Sequence, residues 1–338
     1  MNTSELKAIA TAMVASGKGI LAADESTGTI KKRFDSIGVE STEETRRDYR
    51  EMLFRSTEAM ENYISGVILF DETFRQKAAD GTPLVKLIKQ AGSIPGIKVD
   101  AGAHNMAGHD GEMITEGLDG LRPRMEEYYA LGARFAKWRG VINIGNNMPS
   151  QACINANTHA LARYAAICQE NGIVPIVEPE VIMDGDHSAE RCLDVTSTVL
   201  SALFAALDEQ SVYLEGTILK PNMIVSGTAN PEQASIEKVA EMTLDCFHKC
   251  VPTDIPGIVF LSGGQSDLDA TAHLNAMNKN GPLPWKVGFS YGRALQAAPL
   301  KTWSGKVENV EAAKQAFTHR ARMNTLAALG QWDPSLEA

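Results

Sequence analysis

At 338 residues the chain has room for two average domains or for one large α/β barrel, which takes ~250 residues and more with insertions. Its net charge of −10 argues against a general nucleic-acid or anionic-membrane binder, since either needs clustered excess Lys and Arg, yet it leaves room for a small anionic substrate in a local cationic pocket. No apolar run approaches the ~20 residues that span a bilayer and the N-terminus has no secretory signature, so a cytoplasmic location is expected.

Short apolar β-type runs alternate with helical patterns along the chain. The first run, 20–25, contains Asp24 and leads into Ser26-Thr-Gly-Thr29, without the G-x-G-x-x-G of a dinucleotide-binding sheet. Helical periodicity over 42–57 precedes a run at 66–70 and a third at 96–100, which ends in Lys98 and Asp100. The fourth, 133–139, carries Lys137 and Arg139 and is followed by a helix over 150–169. Glu178 and Glu180 close the fifth, 174–180, before a helix over 187–207. The sixth, 214–220, stops at Lys220 and precedes a helix over 231–250; runs at 257–262 and 287–291 bring the total to eight. Eight strand–helix alternations predict a parallel sheet closed into a (β/α)8 TIM barrel, with an open doubly wound sheet as runner-up. No Pro/Gly/Ser-rich linker breaks the chain, so residues 1–338 are read as one domain with an N-terminal helix and a short C-terminal tail.

Several runs end in charged or hydroxyl residues while their interiors are apolar, which gathers polarity at the barrel face where active sites lie. Alone, Lys220 would be read as laying its stem on apolar surface with its head in water. Its company suggests an amine that can lose its proton and attack a carbonyl to form a Schiff base. Residues two apart on a strand share a side, so Lys137 projects with Arg139 and Glu178 with Glu180, while Trp138 and Pro179 face the helices. A second ammonium and a carboxylate near Lys220 suit imine chemistry; simple ion pairs are the competing reading, and both can hold together. Two loops, Ser262-Gly-Gly-Gln265 and Ser290-Tyr-Gly-Arg293, precede helical segments and offer backbone amides and a guanidinium to a phosphate. Ser26, Thr29, Arg33 and Lys98 form a weaker candidate for a second anion site.

The five cysteines, Cys153, Cys168, Cys192, Cys246 and Cys250, show no paired metal-ligand spacing and are read as reduced structural thiols. Cys246 and Cys250 share a helix face that excludes His248. His104, His109 and His187 likewise lack zinc-ligand spacing, and Asp184-Gly-Asp-His187 reads as a solvated turn. Neither metal nor cofactor is expected.

Six motifs carry a family resemblance: Leu21-Ala-Ala-Asp-Glu-Ser-Thr-Gly28, Phe135-Ala-Lys-Trp-Arg139, Val174-Pro-Ile-Val-Glu-Pro-Glu180, Leu214-Glu-Gly-Thr-Ile-Leu-Lys-Pro-Asn-Met223, Phe260-Leu-Ser-Gly-Gly-Gln265 and Phe289-Ser-Tyr-Gly-Arg293. In these the chain resembles the class I fructose-bisphosphate aldolases over nearly its whole length. The resemblance implies reversible cleavage of fructose 1,6-bisphosphate to glycerone phosphate and glyceraldehyde 3-phosphate in glycolysis and gluconeogenesis, by a homotetramer. It further implies Lys220 as the Schiff-base lysine, Glu178 as the acid/base of the imine steps and Asp24 as the group handling the C4 hydroxyl proton. By the same resemblance Lys137 is expected to orient substrate hydroxyls and Glu180 to help position the nucleophile. Ser262, Gly263, Gly292 and Arg293 resemble the C1-phosphate site, and Ser26, Thr29, Arg33 and Lys98, with Arg139 nearby, the C6-phosphate site. Thr29 departs from the serine of animal members but keeps the hydroxyl. The last residues, Asp333-Pro-Ser-Leu-Glu-Ala338, lack the tail tyrosine of those members, so another group or water is expected to protonate the enamine. Preference for sedoheptulose 1,7-bisphosphate or fructose 1-phosphate is one alternative, and a catalytically silent scaffold barrel another.

Overall fold

Eight parallel strands close on themselves in the computed structural model, which describes residues 1–337: β1 (Gly19–Ala23), β2 (Ile64–Leu69), β3 (Ile94–Lys98), β4 (Phe135–Ile142), β5 (Val174–Val181), β6 (Ile218–Leu219), β7 (Gly257–Phe260) and β8 (Lys286–Tyr291). Each pairs with its successor, and β8 returns to β1 with Ile20 opposite Ser290, which leaves no free sheet edge. The connections run through helices outside the sheet, giving the (β/α)8 TIM barrel that the alternation predicts. Strand interiors are buried because inward side chains fill the barrel and outward ones pack under helices. Trp138 shows the outward set, its ring 5.5 Å from Tyr164 of the helix Gln151–Glu170.

Serines fix where several helices begin, since each hydroxyl accepts an otherwise orphaned amide. Ser150 caps Gln151–Glu170, Ser188 caps Ala189–Glu209, Ser235 caps Ile236–Cys250 and Ser266 caps Asp267–Lys279. The predicted start at 231 is therefore five residues early: residues 231–235 are an irregular segment in which Gln233 Nε2 donates to Gly227 O (2.9 Å) and Asn230 O (2.8 Å). The predicted helix 42–57 is Glu43–Phe54, followed by a separate short helix Thr57–Asn62.

The run 214–220 is mostly not a strand. Leu214–Gly216 forms a 3-10 turn and only Ile218–Leu219 joins the ladder. Gln169 explains the difference, because its Nε2 donates to Tyr213 O (2.8 Å), Gly216 O (3.2 Å) and Thr217 Oγ1 (3.0 Å), which satisfies carbonyls that a strand would pair. Lys220 stays aligned with the sheet through its amide, which donates to Val177 O at 2.9 Å.

The N-terminal end of the barrel is closed by the helix Thr3–Met13, whose Leu6, Ala10 and Met13 pack with Ile20, Phe135, Val174, Ile176, Ile218 and Val259. Phe135 needs Gly96 beside it, where a Cβ would lie 2.3 Å from the ring. Near the opposite end, an antiparallel ribbon of Ala103–Asn105 and Met113–Thr115 was not expected, its three-residue arms being too short to show a period. Thr115 Oγ1 donates to Arg139 O (2.7 Å) and ties the ribbon to β4. Cys246 and Cys250 face the helix Ala189–Glu209, with Cys246 Sγ 3.3 Å from Ser197 Oγ, and His248 packs instead against Trp285, the rings tilted with centroids 5.3 Å apart.

Candidate active site

β4 and β5 lie side by side with Lys137 opposite Ile176 and Arg139 opposite Glu178, so their inward-facing charged residues meet at the C-terminal mouth. Lys137 Nζ lies 2.8 Å from Asp24 Oδ2, just past β1, and 3.1 Å from Glu178 Oε2. The other Glu178 oxygen, Oε1, is 3.1 Å from Lys220 Nζ. Glu178 thus bridges two ammonium groups, and its side chain and both lysines are each only 5% exposed.

Burial alone would push the Asp24 and Glu178 carboxyls up, but Lys137 and then Lys220 outweigh it and hold both below the ordinary carboxylate range. Lys98 adds to this at Asp24, and Arg139 at Glu178. For Lys137 burial favours the neutral amine, yet Asp24 and Glu178 reverse it and hold the ammonium above its usual value. Arg139 is matched in the same way by Glu180, which pairs with its Nε. The carboxylate beside Lys220 is therefore Glu178, while Glu180 is engaged with Arg139.

On the distal side, Ser26 Oγ and Thr29 Oγ1 lie 3.1 Å apart, Lys98 pairs with Asp100 and Arg33 with Glu25. Sequence reasoning missed what holds these groups. Glu25 Oε1 also accepts from Gln296 Nε2 (2.8 Å), and the buried Arg50 donates to Glu25 O (2.7 Å) and Thr73 Oγ1 (2.6 Å). Arg50 reads as a polar helix residue; its one available signal was its i,i+4 spacing from Arg46, which is buried on the same face.

The loop after β7 turns through Gly263 (φ +59°) and Gly264 (φ +99°), conformations in which a side chain would be strained. A Cβ on Gly264 would lie 3.3 Å from Arg293 Nη2, so the guanidinium from the loop after β8 reaches across to its neighbour. Arg293 opens its helix, whereas the helix after the first loop begins only at Asp267 behind the Ser266 cap, with Asp267 and Asp269 in its first turn. Only the second loop places a helix N-terminus directly behind it. Every predicted site residue lines one cleft of about 230 Å³, together with Ala22, Glu25, Leu261 and Ser290. Among the described residues no three His, Cys, Asp or Glu side chains group as metal ligands.

A primary amine beside a buried carboxylate, with cationic groups on two sides of the same mouth, equips a barrel lyase for a phosphorylated carbonyl compound. Comparison with known proteins narrows this to one family. Residues 5–338 match the family described as fructose-bisphosphate aldolase class-I. The chain is 60% identical over 333 residues, 98% of its own length and 99% of the relative's, to a Xanthomonas campestris pv. campestris protein described as "Probable fructose-bisphosphate aldolase class 1". It is 54% identical to a protein of Arabidopsis thaliana called fructose-bisphosphate aldolase 4, cytosolic, covering 98% of this chain and 84% of that one. Among solved structures it superposes, with a TM-score of 0.96 and 50% identity, on fructose-bisphosphate aldolase from Plasmodium falciparum in complex with TRAP and a small molecule inhibitor, covering 98% of this chain and 95% of that one. The chain belongs to the class I fructose-bisphosphate aldolase family. It is a glycolytic lyase that reversibly cleaves fructose 1,6-bisphosphate to glycerone phosphate and glyceraldehyde 3-phosphate through a lysine Schiff base.

Proposed function

We propose that Lys220 is the lysine that carries this imine, and the observation that supports it is Glu178 bridging Lys220 and Lys137 at 3.1 Å each. The attacking amine must be neutral, and Glu178 Oε1 is placed to take its proton. The amine adds to the C2 ketone; Glu178 then returns a proton to the carbinolamine hydroxyl, which leaves as water and gives the iminium. Lys137 supplies positive charge to the oxygen during these steps and orients the substrate hydroxyls. Asp24 next takes the C4 hydroxyl proton, the C3–C4 bond breaks, and its electron pair moves into the iminium to form the enamine. A carboxylate held low is a weak base, so substrate must loosen the Asp24–Lys137 pair for this transfer. Protonation of the enamine at C3 and hydrolysis release glycerone phosphate and free Lys220. Glu180 acts here by holding Arg139 at the mouth.

Ser262, Gly263, Gly292 and Arg293 take the C1 phosphate, and Ser26, Thr29, Arg33 and Lys98, with Arg139, the C6 phosphate. At rest Glu25 and Asp100 neutralise Arg33 and Lys98, so binding exchanges those carboxylates for phosphate oxygens. We further read the chain as one domain that works as a cytoplasmic homo-oligomer, in keeping with the cytosolic relative. Borohydride reduction in the presence of glycerone phosphate should fix one adduct on Lys220; an adduct on another lysine, or none, overturns the assignment.

A further inference from the structure

His273 is a buried ring that the reaction above does not use. It sits on the helix Asp267–Lys279, 7% exposed, with Nδ1 2.6 Å from Gln265 Oε1. The other end of that amide, Gln265 Nε2, donates to Ser262 O at 3.1 Å and faces Met223 Sδ at 3.6 Å. Gln265 N donates to the same Ser262 carbonyl at 3.0 Å. One residue therefore closes, from both backbone and side chain, the turn that holds Gly263 and Gly264 in left-handed conformations.

An amide oxygen only accepts, so His273 must present Nδ1–H to it. Burial holds the ring below its ordinary pKa against the pull of Asp269 and Glu237, and in the neutral ring that places the single proton on Nδ1. A flipped Gln265 would set its oxygen against the Ser262 carbonyl, two acceptors face to face. The Ser262 carbonyl thus sets which way the glutamine amide points, and His273 Nδ1–H holds its oxygen in that orientation.

We infer that His273 and Gln265 are positioning residues for phosphate recognition, the histidine anchoring the glutamine side chain and the glutamine holding Ser262 and Gly263 in place for the anion. This rests on the reading that the loop after β7 takes the C1 phosphate. Neither residue touches substrate; both act through the Ser262 backbone.

The test measures kcat and KM for fructose 1,6-bisphosphate, and the inhibition constant of inorganic phosphate, in wild type, His273→Leu, His273→Asn, Gln265→Met, the His273→Leu/Gln265→Met double variant and Arg293→Ala. His273→Leu and Gln265→Met should each raise KM and the phosphate constant about 5- to 10-fold, the range of one lost buried hydrogen bond, with kcat within about twofold. Asparagine can offer an N–H near the position of Nδ1, so His273→Asn should return both constants to within about twofold of wild type. The double variant should be no worse than Gln265→Met, because the histidine acts through the glutamine. Unchanged constants in both single variants, losses that add in the double, or a loss confined to kcat overturns the inference. Arg293→Ala separates the two levels: if it raises both constants while His273→Leu and Gln265→Met do not, only the positioning role falls, and if it raises neither, the phosphate loop itself is misassigned. Should His273→Leu not fold, Gln265→Met decides, since it removes the amide and leaves the helix intact.

Discussion

The two ends of the barrel are lined by the same strands and hold opposite chemistry. On β5 the inward series runs Val174, Ile176, Glu178, Glu180, and on β4 it runs Phe135, Lys137, Arg139. Two residues along a strand, about 6.6 Å, separate a sealed apolar plug from a buried ionic chain. The apolar end gains stability from burial, whereas desolvating charges costs free energy that their mutual attraction roughly offsets. Fold and function are therefore divided along the barrel axis, and substitutions at the two ends should fail in different ways.

The largest expected effect lies at the ionic end. Lys220→Met should lower kcat by about 10⁴-fold or more and abolish borohydride trapping, because the proposed mechanism takes the imine nitrogen from Lys220 alone. The fold should survive, since Glu178 keeps Lys137 as a partner. Lys220→Arg should be as inactive, its guanidinium being unable to shed a proton. At the opposite end Phe135→Ala should cost about 3–5 kcal/mol of stability by urea denaturation, with kcat of the folded fraction near wild type. A Phe135→Ala protein that is stable but slow would erase the proposed division.

Lys137→Met tests the contrast more finely. It leaves Asp24 and Glu178 buried with one ammonium fewer, so both carboxyls should titrate at higher pH and the acid limb of the kcat profile should move up. We expect kcat to fall about 10²-fold, in the range for a lost acid–base or electrostatic group. The stability sign follows from the same shifts. In wild type the lowered carboxyls contribute stability that is present above their unfolded pKa values, ~4, and lost as pH falls through the lower folded values; the raised Lys137 contributes below ~10 and is lost only above its folded value. In the variant the freed carboxyls bind protons on folding, so its stability deficit should narrow as pH falls from neutral. A deficit constant from pH 8 to pH 5 would mean that Lys137 acts by packing alone.

The division along the barrel was partly legible in the chain. Period-two alternation that turns from Val and Ile to Glu within 174–180 gives both the strand and the rim charges, and every candidate residue falls in one cleft. What escaped was set by side chains far away in sequence. Gln169 turns 214–216 into a helical turn, and neither residue's own neighbours signal it. Arg50 and Gln296 brace Glu25, which in turn holds Arg33, but each reads locally as an ordinary polar residue. Strand phase alone does not say which of two carboxylates faces Lys220, because Glu178 and Glu180 share it; the family motif points to Glu178, and the barrel's geometry separates the two.

Thr29 gives the smallest effect and the sharpest view within the ionic end. Its Oγ1 lies 3.1 Å from Ser26 Oγ, so the two hydroxyls form one small pair at the position proposed for the distal phosphate. Thr29→Ser keeps the donor and should change KM for fructose 1,6-bisphosphate by less than about twofold. Thr29→Ala removes it and should raise that KM about 3- to 10-fold, one hydrogen bond to a charged group. Fructose 1-phosphate carries no distal phosphate, so its KM should be indifferent to both changes. If Thr29→Ala weakens the two substrates equally, the hydroxyl serves the β1 turn and not the phosphate, and discrimination between them must lie with Lys98 and Arg33.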